Sequence, residues 1–459
     1  MPSFFAPRAL LPQGWARDVR IDVSAEGVIT DVEQNATPEE TLSLPDIQLL
    51  SGIVLPAMAN LHSHAFQRAM AGLAEVAGDP QDSFWTWRDL MYRLVGHLTP
   101  EHVGSIASRL YIEMLKGGYT QVAEFHYLHH DPVGLPYVQD DMLLQLITAA
   151  ERAGIGQTLL PVLYSYAGFG AQPALPGQRR FIQNTEHYLA QQQRVATLLR
   201  DKPLHTAGIC FHSLRAVSED QMNDVLAAMP ATLPVHIHIA EQVKEVEDCV
   251  SWCGERPVNW LYDRFAVDER WTLIHATHLD DRELQRVAAS GAIAGLCPTT
   301  EANLGDGIFA LDRYVALGGR WGIGSDSHVS LNLVEELRWL EYAQRLRDRR
   351  RNRVVTPDQP VVGEVLYRQA LAGGAAACGV AIGALSPGYR ADWLVLEDSA
   401  WLHGLPDRAL LNRWLFAGER QQIRDVWVAG KHVINQGRHA LDDESDRQFA
   451  IVMDSLGSL

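Results

Sequence analysis

The chain has 459 residues, of which 47% are hydrophobic and 21% are charged, a composition typical of globular proteins. This length accommodates one large barrel domain and a smaller accessory domain. The net charge of −17 argues against nucleic acid or an anionic membrane as a partner, although local arginines can still bind an anionic substrate.

The cysteine pattern and the absence of long apolar segments indicate the compartment. The chain contains five cysteines and no Cys-x-x-Cys pair, which argues against a disulfide framework. The first residues lack the apolar core of a signal peptide, and no later stretch of the sequence is apolar enough to span a bilayer. We therefore expect a cytoplasmic protein without a membrane role.

Short apolar, β-branched runs alternate along the chain with amphipathic helical segments. The helical segments include 100–117, 140–154, 219–229, 281–290 and 331–350. The predicted strands end near His62, His126, Ser165, His212, His238, His275, Pro298 and Asp326. Eight strands separated by helices predict an α/β fold, a (β/α)8 TIM-type barrel, in which catalytic groups gather at the carboxyl ends of the strands.

Short alternating strand patterns occur near both ends of the chain, for example at 19–23 and 391–396. Two ends of one chain with the same pattern can pair with each other. We therefore predict that residues 1–52 and 380–459 form one small composite β-domain, while residues 53–379 form the barrel.

A long insertion follows the first predicted barrel strand, at about 66–98. It carries Phe84, Trp85, Trp87 and Arg88, and it is longer than the loops that usually join a barrel strand to its helix. We expect this insertion to act as a lid or a substrate wall, with a plain packing excursion as the alternative.

Histidines and a carboxylate stand at several of the predicted strand ends. His62 and His64 follow an apolar run, and on an extended backbone their imidazoles point to the same side. Taken alone they are weak evidence for a metal site, and two unliganded loop histidines are then the favoured interpretation. Together with His238 and Asp326 they offer three nitrogen donors and one carboxylate. This set suits a catalytic Zn²⁺ site that keeps a water position open, with Fe²⁺ as the alternative metal.

The residues around the third histidine bear on its role and on the number of metal ions. His236 is an alternative ligand to His238, since strand alternation puts both on one side. The carboxylate of Glu241, three residues after His238, favours His238. No lysine ends the fourth predicted strand, 207–212, so a carbamylated lysine that bridges two metals has no source there. We expect one metal ion per chain.

Three residues are predicted to be catalytic. Glu241 follows a strand end and can carry a proton from the attacking water to a leaving nitrogen. The alternative is an acid that stabilises the first turn of a helix. His275 is expected to orient the attacking hydroxide or to polarise the developing tetrahedral centre. Asp326, besides binding the metal, is expected to accept a proton from the attacking water.

The pattern formed by His62-x-His64, His238-x-x-Glu241, His275, Ser325-Asp326 and the closing segment 383–396 resembles the amidohydrolase superfamily. The resemblance covers nearly the whole chain. More narrowly, the sequence is similar to the family of formimidoylglutamate deiminases, which hydrolyse N-formimino-L-glutamate to N-formyl-L-glutamate and ammonia in histidine degradation. The narrower likeness rests on the segments 64–72, 84–88, 124–130 and 210–215.

The resemblance implies a mononuclear zinc hydrolase whose substrate is held by Gln67, Arg88, Tyr127, His212 and Arg215. Physical chemistry agrees, because a small dicarboxylate amidine needs charge-assisted donors and an arginine can meet a carboxylate with two hydrogen bonds. The expected partners are this small molecule and a second copy of the chain in a homodimer.

Two alternatives to this function remain. The same barrel could serve an aminohydrolase of purines, pyrimidines or triazines, although a planar base favours aromatic stacking and amide contacts over two arginines. A catalytically inactive barrel used as a scaffold is disfavoured, since the chain retains every predicted metal ligand and catalytic residue.

Overall fold

The computed structural model describes residues 2–44, 47–76, 84–139, 141–397 and 399–457, without the side chains of residues 84–86. The strands, in chain order, are β1 (Ser3–Leu11), β2 (Gly14–Val23), β3 (Ile29–Glu33), β4 (Ile47–Leu49), β5 (Ile53–Pro56), β6 (Met58–Ser63), β7 (Tyr119–His126), β8 (Gly156–Pro161), β9 (His205–Ala207), β10 (Ile209–Ser213), β11 (Val235–Ile239), β12 (Trp271–His275), β13 (Ile293–Leu296), β14 (Arg320–Ile323), β15 (Trp393–Leu396), β16 (Ile423–Val428) and β17 (Lys431–Ile434).

The α-helices, in chain order, are α1 (Pro38–Leu42), α2 (Phe84–Val95), α3 (Pro100–Lys116), α4 (Asp141–Ala153), α5 (Thr185–Leu198), α6 (Glu219–Ala228), α7 (Val243–Cys253), α8 (Pro257–Arg264), α9 (Asp281–Ser290), α10 (Pro298–Leu304), α11 (Leu311–Ala316), α12 (Leu333–Asp348), α13 (Val362–Cys378), α14 (Asp407–Ala417) and α15 (Asp442–Leu456). Short 3-10 helices lie at Ala65–Met70, Pro176–Gln178 and Arg420–Gln422.

The barrel is built from a four-stranded and a five-stranded parallel sheet, in the orders β6-β7-β8-β9 and β10-β11-β12-β13-β14. The pieces β9 and β10 share the fourth barrel position, because the strand is interrupted at Gly208. Parallel bridges from Leu163 to Phe211 and from Ser63 to Asp326 join the two sheets. The predicted fold class is confirmed, and the barrel strands end within a few residues of their predicted ends.

Most barrel strands, including β6, β7, β11 and β12, are buried at every position. Helices cover the outside of a parallel barrel and side chains fill its inside, so its strands are apolar on both faces. All five predicted helices occur, as α3, α4, α6, α9 and α12. Thr99, Ser218 and Asp280 cap the first turns of α3, α6 and α9 with their side chains. None of the helices in the described ranges is long and apolar enough to cross a membrane.

Strands from both ends of the chain form a second sheet, in the order β17-β16-β15-β5-β1-β2-β3 with β4 beside β1. Its core includes the rings of Phe4, Trp393 and Trp427, and the centroid of Phe4 lies 4.9 Å and 5.0 Å from those of the two tryptophans. The two termini therefore build one sheet, as predicted. The domain boundaries at 52 and 380 remain a prediction.

The apolar run 53–59 is divided between the two sheets. Its first part is β5, which pairs with β1 and β15, and its second part opens β6 of the barrel. Pro56 has no N–H to donate, and the next amide, that of Ala57, donates to Asp392 O at 3.3 Å. The chain thus passes from the terminal sheet to the barrel just before the strand that carries His62.

The insertion at 66–98 is described in part. Residues 77–83 and the side chains of Phe84 and Trp85 lie outside the described residues. Helix α2 packs Met91, Leu94 and Val95 into the hydrophobic core, while Trp87 and Arg88 line a pocket at the carboxyl end of the barrel. The insertion is therefore a wall of that pocket. Its movement as a lid remains a prediction.

A buried ion pair ties the terminal sheet to the barrel. Arg390 donates to Asp392 at 2.6 Å and 2.9 Å, to Gln121 Oε1 at 2.9 Å and to Thr120 O at 3.1 Å. The Asp392 side chain is fully buried, and it also accepts a hydrogen bond from the backbone N–H of Ala429. Removal of this carboxylate would leave a guanidinium without its counter-charge between the two sheets.

We expect Asp392→Ala to lower the free energy of unfolding by about 3–5 kcal/mol, because it strands a buried charge. Urea unfolding followed by tryptophan fluorescence measures the change. The control is Asp443→Ala, which breaks an exposed pair with Arg438 and should cost less than about 1 kcal/mol. Equal losses in the two variants would contradict a structural role for the Arg390–Asp392 pair.

Candidate active site

One buried pocket lies at the carboxyl ends of the barrel strands, where the buried strands carry their polar residues. Loops that follow β6, β7, β10, β11, β12 and β14 reach it, and α2 closes one side. Its lining consists of His64, Gln67, Trp87, Arg88, Met91, Tyr92, Tyr127, Tyr164, Phe181, His212, Arg215, His238, Glu241, His275, Leu304 and Asp326.

The four predicted metal ligands converge at the floor of this pocket. His62 Nε2 lies 3.0 Å from His238 Nε2 and 3.3 Å from Asp326 Oδ1, and His64 Nε2 also lies 3.3 Å from Asp326 Oδ1. His62, His64 and Asp326 form a group of ligand atoms close enough to share one ion, and His62 and His238 belong to a second such group with His275. His236 instead contacts Ala377 O with its Nε2 at 2.8 Å.

The donor chemistry of these residues fits a divalent cation. His64 Nδ1 donates to Phe125 O at 2.8 Å, and His238 Nδ1 donates to His212 O at 2.9 Å. These hydrogen bonds leave the Nε2 lone pairs of both rings available, that of His64 beside Asp326 Oδ1 and that of His238 beside His62 Nε2. Burial lowers the pKa of His62 to about 3, so its ring stays neutral and able to bind a metal.

Asp326 keeps its charge in this buried position. Burial alone would raise the pKa of its carboxyl, but the hydrogen bond with His62 and the nearby imidazoles of His275 and His64 hold the pKa below its usual range. A carboxylate beside three neutral nitrogen donors provides the negative charge that a bound cation requires.

Two proton-carrying groups stand beside the ligand cluster. His275 Nε2 lies 3.9 Å from Glu241 Oε1 and 3.8 Å from Asp326 Oδ2, while its Nδ1 lies 3.4 Å from Glu301 Oε1. Burial raises the pKa of Glu241 to about 7. Burial opposes protonation of His275, yet the carboxylates around it raise its pKa to about 10. Glu241 can therefore take up and release protons near neutral pH.

The backbone is strained at the strand ends that carry these groups. Left-handed φ values of 52°, 68°, 48°, 48° and 64° occur at Ala240, His275, Ala276, Asp326 and His328. Such conformations cost about 1–3 kcal/mol each and persist where surrounding contacts enforce them. After β11 the contact is Glu245, whose carboxylate accepts the backbone N–H groups of Ala240 and Glu241 at 3.0 Å and 2.9 Å.

The five predicted substrate residues all line the pocket above this cluster. Gln67 Nε2 donates to Tyr127 OH at 2.9 Å, and the Tyr127 ring packs edge-on against His212 with centroids 5.5 Å apart. Arg215 is hydrogen-bonded to Tyr164. Arg88 lies over the ring of Tyr92, with its Cζ 5.4 Å from the ring centroid. The structure thus gathers two guanidinium groups from distant segments at one pocket.

Sequence reasoning missed the residues that support the ligands from behind. Glu124, on β7, accepts Ser63 Oγ–H at 2.6 Å, the N–H of Ala65 at 2.7 Å and Tyr111 OH at 3.1 Å. These bonds fix the loop that carries His62 and His64. A carboxylate within a predicted barrel strand is the signal that would have revealed Glu124. Glu245, Glu301 and Tyr164 carry no comparable local signal.

Comparison with known proteins agrees with this geometry. Residues 53–433 match the family described as "Amidohydrolase family", and residues 1–41 match "Formimidoylglutamate deiminase HutF, N-terminal domain". A formimidoylglutamate deiminase of Pseudomonas aeruginosa is 58% identical over 99% of this chain and 100% of the relative.

Solved structures extend the comparison to three dimensions. A crystal structure of an amidohydrolase from Brucella melitensis superimposes with a TM-score of 0.93 at 45% identity and covers 99% of this chain and 100% of that chain. An adenosine deaminase from Xanthomonas campestris with bound zinc has a TM-score of 0.78 at 22% identity and covers 98% of each chain, a likeness of the fold alone.

We expect Glu124→Gln to weaken divalent-metal binding by about 10- to 100-fold, the usual effect of losing a residue that orients metal ligands. The amide would turn a donor toward the N–H and O–H groups from which the carboxylate now accepts hydrogen bonds. Competition between the protein and a chromogenic chelator for Zn²⁺ measures the affinity. Glu151→Gln, which breaks an exposed pair with Lys202, is the control. Unchanged metal affinity in Glu124→Gln would show that the loop is held by other contacts.

Proposed function

Because the chain belongs to the amidohydrolase family, we propose that it hydrolyses the C–N bond of a linear amidine, N-formimino-L-glutamate, to N-formyl-L-glutamate and ammonia. The enzyme acts on a small molecule. The observation that carries the choice of substrate is the placement of Arg88 and Arg215 at the pocket that also holds Glu241 and the convergent histidines. The proposed reaction belongs to histidine degradation.

One Zn²⁺ per chain is the proposed cofactor, and His62, His64, His238 and Asp326 would hold it, with Fe²⁺ as an alternative for the same donors. When bound, the metal supplies Lewis acidity that makes a water molecule nucleophilic near neutral pH. The hydrogen bonds from His64 and His238 to backbone carbonyls fix which ring nitrogen is available, so the protein need not reorganise its ligands.

The protein residues then handle the protons. Water adds its oxygen to the formimino carbon, and the C–N bond to the terminal nitrogen breaks. Glu241 takes one proton from the attacking water and delivers it to that nitrogen, because burial holds the pKa of Glu241 near neutrality. Asp326 accepts the second proton of the attacking oxygen as the carbonyl of the product forms and passes it to the same nitrogen, which leaves as ammonia. His275, anchored by Glu301, donates a hydrogen bond to the developing oxygen charge.

The upper part of the pocket would hold the dicarboxylate. Arg88 and Arg215 are the strong donors, and Gln67, Tyr127 and His212 add neutral ones. Burial and the Arg215 guanidinium keep the pKa of His212 well below its usual value, so this ring is neutral and can contact the formimino group without a charge.

A purine, pyrimidine or triazine aminohydrolase remains the second candidate, because tyrosines 92, 127 and 164 line the same pocket. Two arginines would then face an uncharged base that offers no carboxylate for their charges, which is unfavourable in a partly buried site. The two carboxylates of N-formimino-L-glutamate would pair with both arginines. The homodimer and the location in the cell remain predictions.

We expect Glu241→Gln to lower kcat by about 10²–10⁴-fold, the usual contribution of a general acid and base. Glutamine keeps the shape and the hydrogen bonds but cannot exchange the proton, so metal content and substrate affinity should stay unchanged. Steady-state kinetics measures kcat and KM, and elemental analysis measures the metal content. Glu247→Gln, at an exposed position of helix α7, which follows Glu241, is the control. Turnover within a few-fold of the parent would assign the proton transfer to another group.

We expect Arg88→Met and Arg215→Met each to reduce transition-state stabilisation for N-formimino-L-glutamate by about 2–5 kcal/mol, because a substrate carboxylate loses its partner in a partly desolvated site. At about 1.4 kcal/mol per tenfold, kcat/KM falls by about 30-fold to several thousand-fold. The loss should be much smaller for an analogue in which the corresponding carboxylate is an amide.

The control for these variants is Arg93→Met, which removes an exposed arginine from the same helix as Arg88. Equal losses of kcat/KM on the substrate and on the amide analogue would mean that the two arginines shape the pocket without recognising a carboxylate. The dicarboxylate assignment would then fail this test.

A further inference from the structure

Asp306 is a buried carboxylate that the proposed reaction does not use. It follows α10 and is 5% exposed. Its Oδ1 accepts a hydrogen bond from the Gln242 amide. Its Oδ2 is buried and has no hydrogen-bond partner within the part of the chain that the structure describes. An unsatisfied carboxylate oxygen in a protein interior costs free energy, so its retention calls for a ligand.

Asp306 stands next to the proton-carrying groups of the pocket. The ligand atoms of Glu241, His275 and Asp306 all lie within 4.8 Å of one another, and all three residues are buried. The Nδ1 of His275 lies against Glu301, and its Nε2 lies 3.9 Å from Glu241 Oε1 and 3.8 Å from Asp326 Oδ2, so the ring can bind an ion on the side of Glu241 once Nε2 has lost its proton. These three residues do not include His62, His64 or His238.

The chemistry of this group suits a transition-metal cation. One imidazole nitrogen and two carboxylate oxygens, with water in the remaining position, form a common zinc donor set. Ca²⁺ and Mg²⁺ require more oxygen ligands than the group offers. Two carboxylates in a buried site repel each other, and a divalent cation between them would remove that repulsion.

We propose that Glu241, His275 and Asp306 form a second divalent-cation site, which fills at excess Zn²⁺ and inhibits the enzyme. It binds more weakly than the four-ligand cluster because it has three protein donors. An ion here occupies the carboxylate oxygen of Glu241 and the Nε2 of His275, so neither can transfer a proton. The inhibition rests on the proposed function of Glu241, whereas the binding does not.

Zinc binding to the full-length protein tests the site directly. Equilibrium dialysis with elemental analysis should give a first tight equivalent of Zn²⁺ and a second, weaker one for the parent. Asp306→Asn keeps the shape of the side chain and should bind the first equivalent with unchanged affinity and the second at least ~10-fold more weakly. Asp281→Asn, an exposed residue at the start of α9, should behave like the parent.

Turnover measured in the same titration tests the inhibition. The parent and Asp281→Asn should lose activity over the Zn²⁺ range in which the second equivalent binds. Asp306→Asn with one equivalent should turn over within a few-fold of the parent, and its inhibition should shift to at least ~10-fold higher Zn²⁺. A crystal of the parent soaked in excess Zn²⁺ should show a second anomalous peak between the three side chains, a test that requires no variant.

The outcomes separate the site from the proposed function. Absence of a second equivalent at millimolar Zn²⁺, equal binding of it by Asp306→Asn, or an anomalous peak only elsewhere would overturn the site. A second equivalent that depends on Asp306 but leaves turnover unchanged would keep the binding site, overturn the inhibition and contradict the role of Glu241 as proton carrier.

Discussion

The convergence of three neutral imidazoles on one buried carboxylate constrains the rest of the molecule. His62, His64, His238 and Asp326 are all at most 9% exposed, so water cannot satisfy them. The rings of His64 and His238 are oriented from behind, and the arrangement suits a cation that compensates the carboxylate. The barrel supplies the orientation through the carbonyls of Phe125 and His212 and through the bridge between Ser63 and Asp326.

The same constraint explains where the backbone is strained. The strand ends must turn sharply to direct Glu241, His275 and Asp326 into one pocket, and left-handed residues occur at these turns. Buried carboxylates compensate part of that cost by accepting backbone N–H groups, as Glu245 does after β11 and Glu124 does after β6. Part of the backbone strain thus lies beside the proposed chemistry, and other left-handed residues, such as Asp18 and Ala429, lie in and beside the terminal sheet.

Charge is distributed to match a small anionic substrate. The whole chain carries −17, yet the upper part of the pocket holds Arg88 and Arg215 and its floor holds the carboxylates. An amidine with two carboxylates can meet the arginines above while its reactive carbon reaches the floor. A negative overall charge disfavours polyanions, so in the proposed function the local arginines would supply the attraction for the carboxylates of the substrate.

Much of the fold was predictable because burial on both faces makes the barrel strands continuous apolar runs, whose ends locate His62, His238, His275 and Asp326. The choice of His238 over His236 needed Glu241, since strand alternation does not distinguish them. Glu124, Glu245 and Asp306 were missed because their hydrogen bonds with Ser63, Ala240 and Gln242 depend on how the strand ends turn in the folded barrel. Which carboxylate supports which loop is decided by packing across the barrel.

The most direct test of the proposed function is ammonia release by the purified, zinc-loaded protein from N-formimino-L-glutamate, compared with adenosine, guanine and a chlorotriazine under the same conditions. The proposed function predicts one ammonia and one N-formyl-L-glutamate per substrate consumed, with little or no turnover of the three heterocycles. Turnover of a heterocycle with no ammonia from N-formimino-L-glutamate would contradict it.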